Sequence, residues 1–310
     1  MSRAFVFPGQ GAQTIGMGRD LAERYDVSRA VFEEVDAALG EKLSALIWEG
    51  DIETLTLTAN AQPALMATSM AAMRALAFEG ITVETAAFVA GHSLGEYSAL
   101  CAAGSISVGD AARLLRLRGR AMQEAVPVGQ GAMAAILGLD YAAVAAIAAE
   151  AAGRGEVCEA ANDNDPAQVV VSGSAAAVER AAELARARGA KRALMLPVSA
   201  PFHCALMAPA ARAMAEALSH VEIRAPRVPL VANVLAQAVS DPEVIRTLLV
   251  EQVTHRVRWR ESVAWMAAQG VTEFWEIGAG KALSGMIRRI VPEAATRSVA
   301  GPADVEAAKG

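Results

Sequence analysis

The chain has 310 residues, 54% of them hydrophobic and 5% aromatic, with a formal net charge of −6. That length buries a sizeable core, in one large domain or in one with an insertion. The acidic balance argues against a nucleic-acid binder, no stretch has the length of a membrane span without charges or turn residues, and the N-terminus lacks the apolar run of a signal peptide. Three widely spaced cysteines, Cys101, Cys158 and Cys204, read as reduced thiols of a cytoplasmic protein. The histidines His92, His203, His220 and His255 show no ligand spacing, so no metal is expected.

In chain order, "AFVF" (4–7) is a short buried strand ended by Pro8-Gly9. Residues 17–49 have a helical pattern, and 62–80 form an apolar helix closed by Gly80. "TAAFVA" (85–90) is a strand, and a helix follows Ser93. A different rhythm runs from 131 to 198. "GAMAAILGL" reads as strand, "DYAAVAAIAAEAAG" as helix, and "VCEAAND" and "QVVVSG" as strands joined at Asn164-Asp165-Pro166. A helix, "SAAAVERAAELARARG", and a strand, "AKRALMLPV", complete a βαββαβ ferredoxin-like unit. The flanking segments must join to complete a parallel sheet, so residues 129–198 are expected as a small domain inserted into a large α/β domain of residues 1–128 and 199–310. "VPLVANV" and "VTEFWEIGAG" add strands, and the tail from Ala300 reads as frayed.

The strand–glycine turn–helix context gives meaning to Gly91-His92-Ser93-Leu94-Gly95. Glycines are needed where the backbone passes close to strand and helix, and the turn lifts the Ser93 hydroxyl clear of the sheet. The first amides of the next helix then face any oxyanion formed there. The competing reading is a serine N-cap; the context favours the nucleophile. A serine needs a base. His92 is adjacent and would project away, whereas His203 in "SAPFHCALM" fits the hydrolase-like order with histidine after serine; a structural histidine fits equally well. No Asp or Glu stands out as a third member. Cys204 beside His203 reads as packing. The loops "FPGQGAQ" and "GAGKA" fail the dinucleotide and P-loop patterns at Thr14 and at Trp275 and Ala282; the first loop is a candidate second oxyanion donor.

A helix opens at Ser107, with Asp110 three residues on as a capping box. Arg113, Arg116 and Arg120 share a face expected to be solvated. Arg118 falls on the apolar stripe with Ala111, Leu115 and Met122. A guanidinium turned inward needs an anion. Spacing alone favours an internal carboxylate such as Glu96; the alternative is a substrate carboxylate held bidentately.

Taken together, "FVFPGQGAQ", "GHSLGEYSAL", "RLRGRAMQEA", "GAMAAILGL", "NDNDPAQVVVSG", "PFHCALM" and "FWEIGAGKALSGMIRRI" resemble the malonyl-CoA:acyl carrier protein transacylases of type II fatty-acid synthesis, from about Phe5 to Ile290. The resemblance implies a hydrolase-like large domain and a ferredoxin-like small one. It implies Ser93 as nucleophile, His203 as base, the amides of Gln10 and Leu94 as oxyanion hole, and Arg118 on the malonyl carboxylate. It places a histidine-orienting main-chain carbonyl near Gln252, and at Phe202 the residue of malonyl-selective members. Malonyl-CoA would be the substrate, coenzyme A the product, and acyl carrier protein the partner, with no resident cofactor. "NDND" at 162–165 is the clearest departure, near the cleft between domains. Rival readings are an acyltransferase of a polyketide or malonate decarboxylase system, a serine esterase, and a non-catalytic carrier-binding module. An acidic carrier would need a basic patch, for which the candidates are Lys191-Arg192, Arg256/Arg258/Arg260 and Arg288-Arg289, each more simply read as a solvated face.

Overall fold

The computed structural model describes residues 2–198 and 200–309. The strands are β1 (Ser2–Phe7), β2 (Phe88–Gly91), β3 (Gly131–Leu137), β4 (Cys158–Asp165), β5 (Gln168–Ser174), β6 (Arg192–Met195), β7 (Leu230–Val231), β8 (Ala238–Val239), β9 (Val271–Ile277) and β10 (Ala295–Val299). They form two sheets. The larger has the order β10-β9-β1-β2-β7-β8 and is parallel except for β8 at its edge. Both faces are covered, so its central strand is continuously apolar: Ala4, Phe5, Val6 and Phe7 have no solvent exposure.

The smaller sheet has the order β4-β5-β3-β6 and is antiparallel throughout. Its strands alternate, as a sheet with two different faces must. Ala134, Ile136, Val169 and Val171 pack under the helices Tyr141–Ala151 and Ala175–Ala187. Met133, Ala135 and Val170 face the other way and join the main core. The element order is βαββαβ, the ferredoxin-like arrangement, on an α/β parallel-sheet frame. The expected boundary at residue 199 lies outside the described residues, as do residues 1 and 310.

Four local expectations need correction. The strand expected at 85–90 is β2 at 88–91, preceded by a 3-10 turn at Val83–Thr85. "NDND" is the end of β4 rather than a turn; the chain reverses after it, at Pro166 and Ala167. The tail from Ala300 is ordered: the helix Pro302–Ala307 is capped by Asp304, which accepts from the amides of Ala300 and Gly301, and Val305 is buried.

The fourth concerns Arg116, expected in solvent and found buried. The apolar helix runs Thr58–Phe78 and contains Pro63. Proline has no N–H, so the carbonyl of Ala59 loses its partner one turn back. Arg116 donates to that carbonyl at 2.7 Å, and also to Asn60 and Glu41. The two helices come close because residue 119 is glycine: a Cβ there would lie 2.6 Å from Ala59 Cα and 2.6 Å from Thr58 O. Gly119→Ala must push backbone apart. It is expected to destabilise the fold by about 1–3 kcal/mol, read as a lower denaturant midpoint with unchanged slope.

Candidate active site

The loop after β2 is forced into a tight corner. A Cβ at Gly91 would lie 1.9 Å from the carbonyl of Gly95, and one at Gly95 would lie 2.2 Å from Phe7 O. Only glycine at both positions lets the helix Gly95–Ala102 start directly against β1 and β2. Ser93 is thereby held at φ 52°, and the other two non-glycine residues at positive φ among the described residues are His203 (60°) and Ala236 (55°). Such conformations cost of order 1–3 kcal/mol and persist only where neighbours over-determine them. Here Asn233 does so: its Oδ1 accepts from Ser93 N at 2.8 Å, and its Nδ2 donates to Gly91 O at 2.6 Å.

The two strained residues meet. His203 Nε2 lies 2.8 Å from Ser93 Oγ, and His203 Nδ1 lies 2.8 Å from the main-chain oxygen of Gln252. A carbonyl only accepts, so Nδ1 carries the hydrogen and Nε2 is left to accept from the serine. No carboxylate is needed to fix the tautomer. Burial, then the charge of Arg118, pushes the His203 pKa down to about 3. The imidazole is therefore neutral across the physiological range, the form a base requires.

Arg118 is 1% exposed. Its guanidinium donates to Gln62 Oε1 (2.8 Å), Gln252 Oε1 (2.8 Å) and Ser93 Oγ (3.2 Å), and its Nε has no hydrogen-bond partner among the described residues. Among the described residues no carboxylate is within ion-pair distance of it. Glu96, the internal partner that spacing favoured, is buried nearby but bonds to Gln252 Nε2 at 2.7 Å and Asn233 N at 3.2 Å instead. A buried cation whose contacts are all neutral can take up an anion.

A cleft of about 400 Å³ lies between the two sheets, lined by Gln10, Ser93, Leu94, Arg118, Phe202 and His203 among others. The loop bearing Gln10 is pressed against the corner because residue 9 is glycine; a Cβ there would lie 2.8 Å from His92 O. Leu94 stands at the start of the helix Gly95–Ala102. Neither the main-chain N–H of Gln10 nor that of Leu94 has a hydrogen-bond partner among the described residues, while the Gln10 side-chain amide donates to Thr58 Oγ1 at 3.3 Å. Cys204 is buried with its thiol donating to Pro201 O, and burial pushes its pKa up to about 11, so it packs rather than reacts. Among the described residues no cluster of His, Cys, Asp and Glu has the makings of a metal site, and no helix is long and apolar enough to cross a membrane.

"NDND" straps the small sheet over the cleft. Asp163 pairs bidentately with Arg260 (2.9 and 2.8 Å), Asp165 with Arg289 (2.7 Å), and Asn164 with His92 Nε2 (2.8 Å). Arg256 and Arg258 are taken up by Glu261. Of the proposed basic patches, Lys191, Arg192 and Arg288 are left with no ion pair among the described residues. Sequence reasoning missed Gln62 and Asn233. The signal for Asn233 was there: a polar residue just past an apolar strand, at the carboxyl edge of a parallel sheet where sites form.

Fold and geometry define a class, an α/β protein of hydrolase-like architecture with a serine–imidazole pair on its strained corner. The comparisons narrow it. The family model described as "Acyl transferase domain" matches residues 4–302. The malonyl CoA-acyl carrier protein transacylase of Bacillus subtilis (strain 168) is 48% identical over 305 residues, 98% of this chain and 95% of the relative. The crystal structure of an acyl-carrier-protein-S-malonyltransferase from Bartonella henselae is 58% identical, with TM-score 0.97, covering 99% of this chain and 98% of that one. A type II polyketide acyl-carrier protein in complex with its malonyl-transacylase matches at 44% identity and TM-score 0.96, with 99% of each chain covered. The chain belongs to the malonyl-CoA:acyl carrier protein transacylase family and is an acyltransferase.

Asn233→Ala removes both clamps on the corner. It is expected to slow covalent labelling of Ser93 by a fluorophosphonate about 100-fold, the usual cost of misplacing a reacting group by about 1 Å, while the thermal melt still shows a cooperative transition.

Proposed function

We propose that this enzyme moves a malonyl group from malonyl-CoA to the phosphopantetheine thiol of an acyl carrier protein through a malonyl ester on Ser93. His203 Nε2 takes the Ser93 proton, and Oγ attacks the thioester carbonyl. The amides of Gln10 and Leu94 receive the oxyanion, each donor being worth roughly 3–4 kcal/mol in comparable sites. The C–S bond breaks, and the leaving thiolate of coenzyme A takes the proton from the imidazolium. In the second half, Nε2 takes the carrier thiol's proton, the sulfur attacks the ester, and Ser93 regains its hydrogen. This is a ping-pong sequence and calls for no resident cofactor. Gln252 orients the base through its main-chain oxygen. Phe202 closes the acyl end of the cleft beside His203. The division into residues 1–128 with 199–310 and an inserted 129–198 makes the small unit the roof of that cleft.

The observation that carries this reading is the buried guanidinium 3.2 Å from the Ser93 hydroxyl, with no carboxylate in contact with it among the described residues. An esterase has no use for it; a malonyl carboxylate completes it. The carrier assignment draws support from the related transacylase seen with its carrier protein. Its docking face is proposed around Lys191, Arg192 and Arg288, the cations of the candidate patches that have no ion pair among the described residues. The unpaired thiols of Cys101, Cys158 and Cys204 fit work in the cytoplasm.

Intact-mass measurement after mixing with malonyl-CoA is expected to show one malonyl group, absent in Ser93→Ala. Arg118→Ala is expected to lower malonyl transfer by about 100-fold or more while raising acetyl transfer relative to it. An unchanged malonyl-to-acetyl ratio removes Arg118 from the carboxylate-binding role.

A further inference from the structure

The reaction above gives no part to Glu96, a buried carboxylate beside the reacting groups. Glu96 lies on the first turn of the helix that follows the corner, 1% exposed. Its Oε2 accepts from Gln252 Nε2 (2.7 Å) and Asn233 N (3.2 Å). Each partner reaches a reacting group. Gln252 Nε2 also donates to Ser93 O at 3.0 Å, Gln252 Oε1 receives Arg118, and Gln252 O receives His203 Nδ1. Asn233 holds the Ser93 amide and the Gly91 carbonyl. We propose that Glu96 is a positioning residue: through Gln252 and Asn233 it sets the guanidinium, the imidazole and the serine corner as one unit, and it supplies the negative charge that Arg118 needs without touching it.

The chemistry of the Gln252 amide supports this. The Gln252 side chain can be turned either way, and only one way presents oxygen to Arg118. Acceptors on the opposite side, Glu96 at 2.7 Å and Ser93 O at 3.0 Å, fix that choice, the carboxylate more strongly; a flipped amide would set N–H groups against the guanidinium. A carboxylate beats a neutral oxygen here because hydrogen bonds to an ionised acceptor are roughly twice as strong. Placing the charge one amide away leaves the guanidinium compensated in the free enzyme yet open to a substrate carboxylate.

The role makes the acylation step sensitive to pH. Burial pushes the Glu96 pKa up to about 7, against the lowering effects of Gln252, Asn233 and Arg118. The charged or titratable groups that act on it are Arg118 from the helix Val108–Glu124 and Tyr97 on its own helix, whose phenol burial raises further still. Gln252 and Asn233 face it as neutral donors. His203, beyond Gln252, has its pKa near 3, and burial lowers that of His92 as well. Between about pH 6 and about pH 8 the Glu96 charge is thus the one in this network that changes. A raised carboxyl pKa means the ionised, organising form is lost as pH falls through 7.

This role rests on the malonyl-serine reaction, so the test is its first half: single-turnover acylation by malonyl-CoA, followed by intact mass, in which no acceptor thiol titrates. The parent is expected to lose about tenfold in rate, the worth of weakening these ionic hydrogen bonds, from about pH 8 to about pH 6, with a midpoint near 7. Glu96→Gln keeps the shape and an acceptor oxygen but no charge. It is expected to be flat with pH over that range, at the parent's acid level. Glu96→Leu, folded by its thermal melt, is expected to fall at least about 100-fold at every pH. A parent rate flat with pH overturns the role, as does a Glu96→Gln variant that keeps the acid limb or the full rate at high pH. A parent that takes up no malonyl group sinks the function itself, and this role with it; that outcome is separate because it appears before any variant is made.

Discussion

Arg118 carries a full positive charge into the interior, and each of the groups it touches there is neutral. Leaving such a charge without any compensation costs about 3–5 kcal/mol. The protein spreads the load over the amide oxygens of Gln62 and Gln252 and sets a carboxylate, Glu96, one amide further out. The arrangement of the site follows from that choice. Because Gln252 must face Arg118 with its side-chain oxygen, its position is fixed. Because its position is fixed, its main-chain oxygen is in place to hold His203 Nδ1, and the far nitrogen of that ring meets Ser93. The guanidinium and the imidazole are held by the same glutamine.

The serine end of this chain is held by sterics. Gly91 and Gly95 permit a corner so tight that strand and helix backbones touch, and Gly9 brings the second loop against it. The positive φ at Ser93 and His203 is local strain, concentrated on the two residues that must meet. Asn233 clamps the corner from β7's side of the sheet, and "NDND" ties the small sheet to the large one through His92, Arg260 and Arg289. The two sheets are therefore tied together beside the cleft by paired polar side chains, of which Asp163 and Asp165 are buried.

How much of this was legible in the sequence depended on range. The corner at 91–95 is a local matter: glycine spacing, a preceding apolar run and a following helix were enough to read it. The βαββαβ order was legible because its strands alternate and its turns carry Gly and Pro. Arg118 stood out because a charge on an apolar stripe violates the helical pattern. What failed was non-local. Arg116 sits on the opposite side of the same helix and looked solvated; the reason it is buried lies in Pro63, on another helix, which leaves a carbonyl wanting a donor. Glu96 was correctly placed near Arg118 but wrongly paired with it, since the glutamine between them comes from 156 residues downstream. The tail from Ala300 was read as frayed on composition, yet Asp304 caps its helix and Val305 is buried. The resemblance to the transacylases supplied what periodicity does not carry, namely that a main-chain oxygen can replace the acid of a triad.

In the proposed reaction the charge that selects the substrate also restrains the base. Arg118 is the second cause, after burial, of the depressed His203 pKa. Charges within a few ångströms in a partly buried site interact by about 2–4 kcal/mol. In the proposed reaction a malonyl carboxylate seated on Arg118 cancels that repulsion at the moment His203 must accept a proton. An acetyl group leaves the guanidinium bare and the imidazole a poorer base. Discrimination between the two acyl groups then falls on the chemical step as well as on binding. A site that only bound malonate well would lower KM for both forward and wasted encounters alike. One that makes its base competent only when the carboxylate is home spends the interaction in the transition state, where it raises the rate.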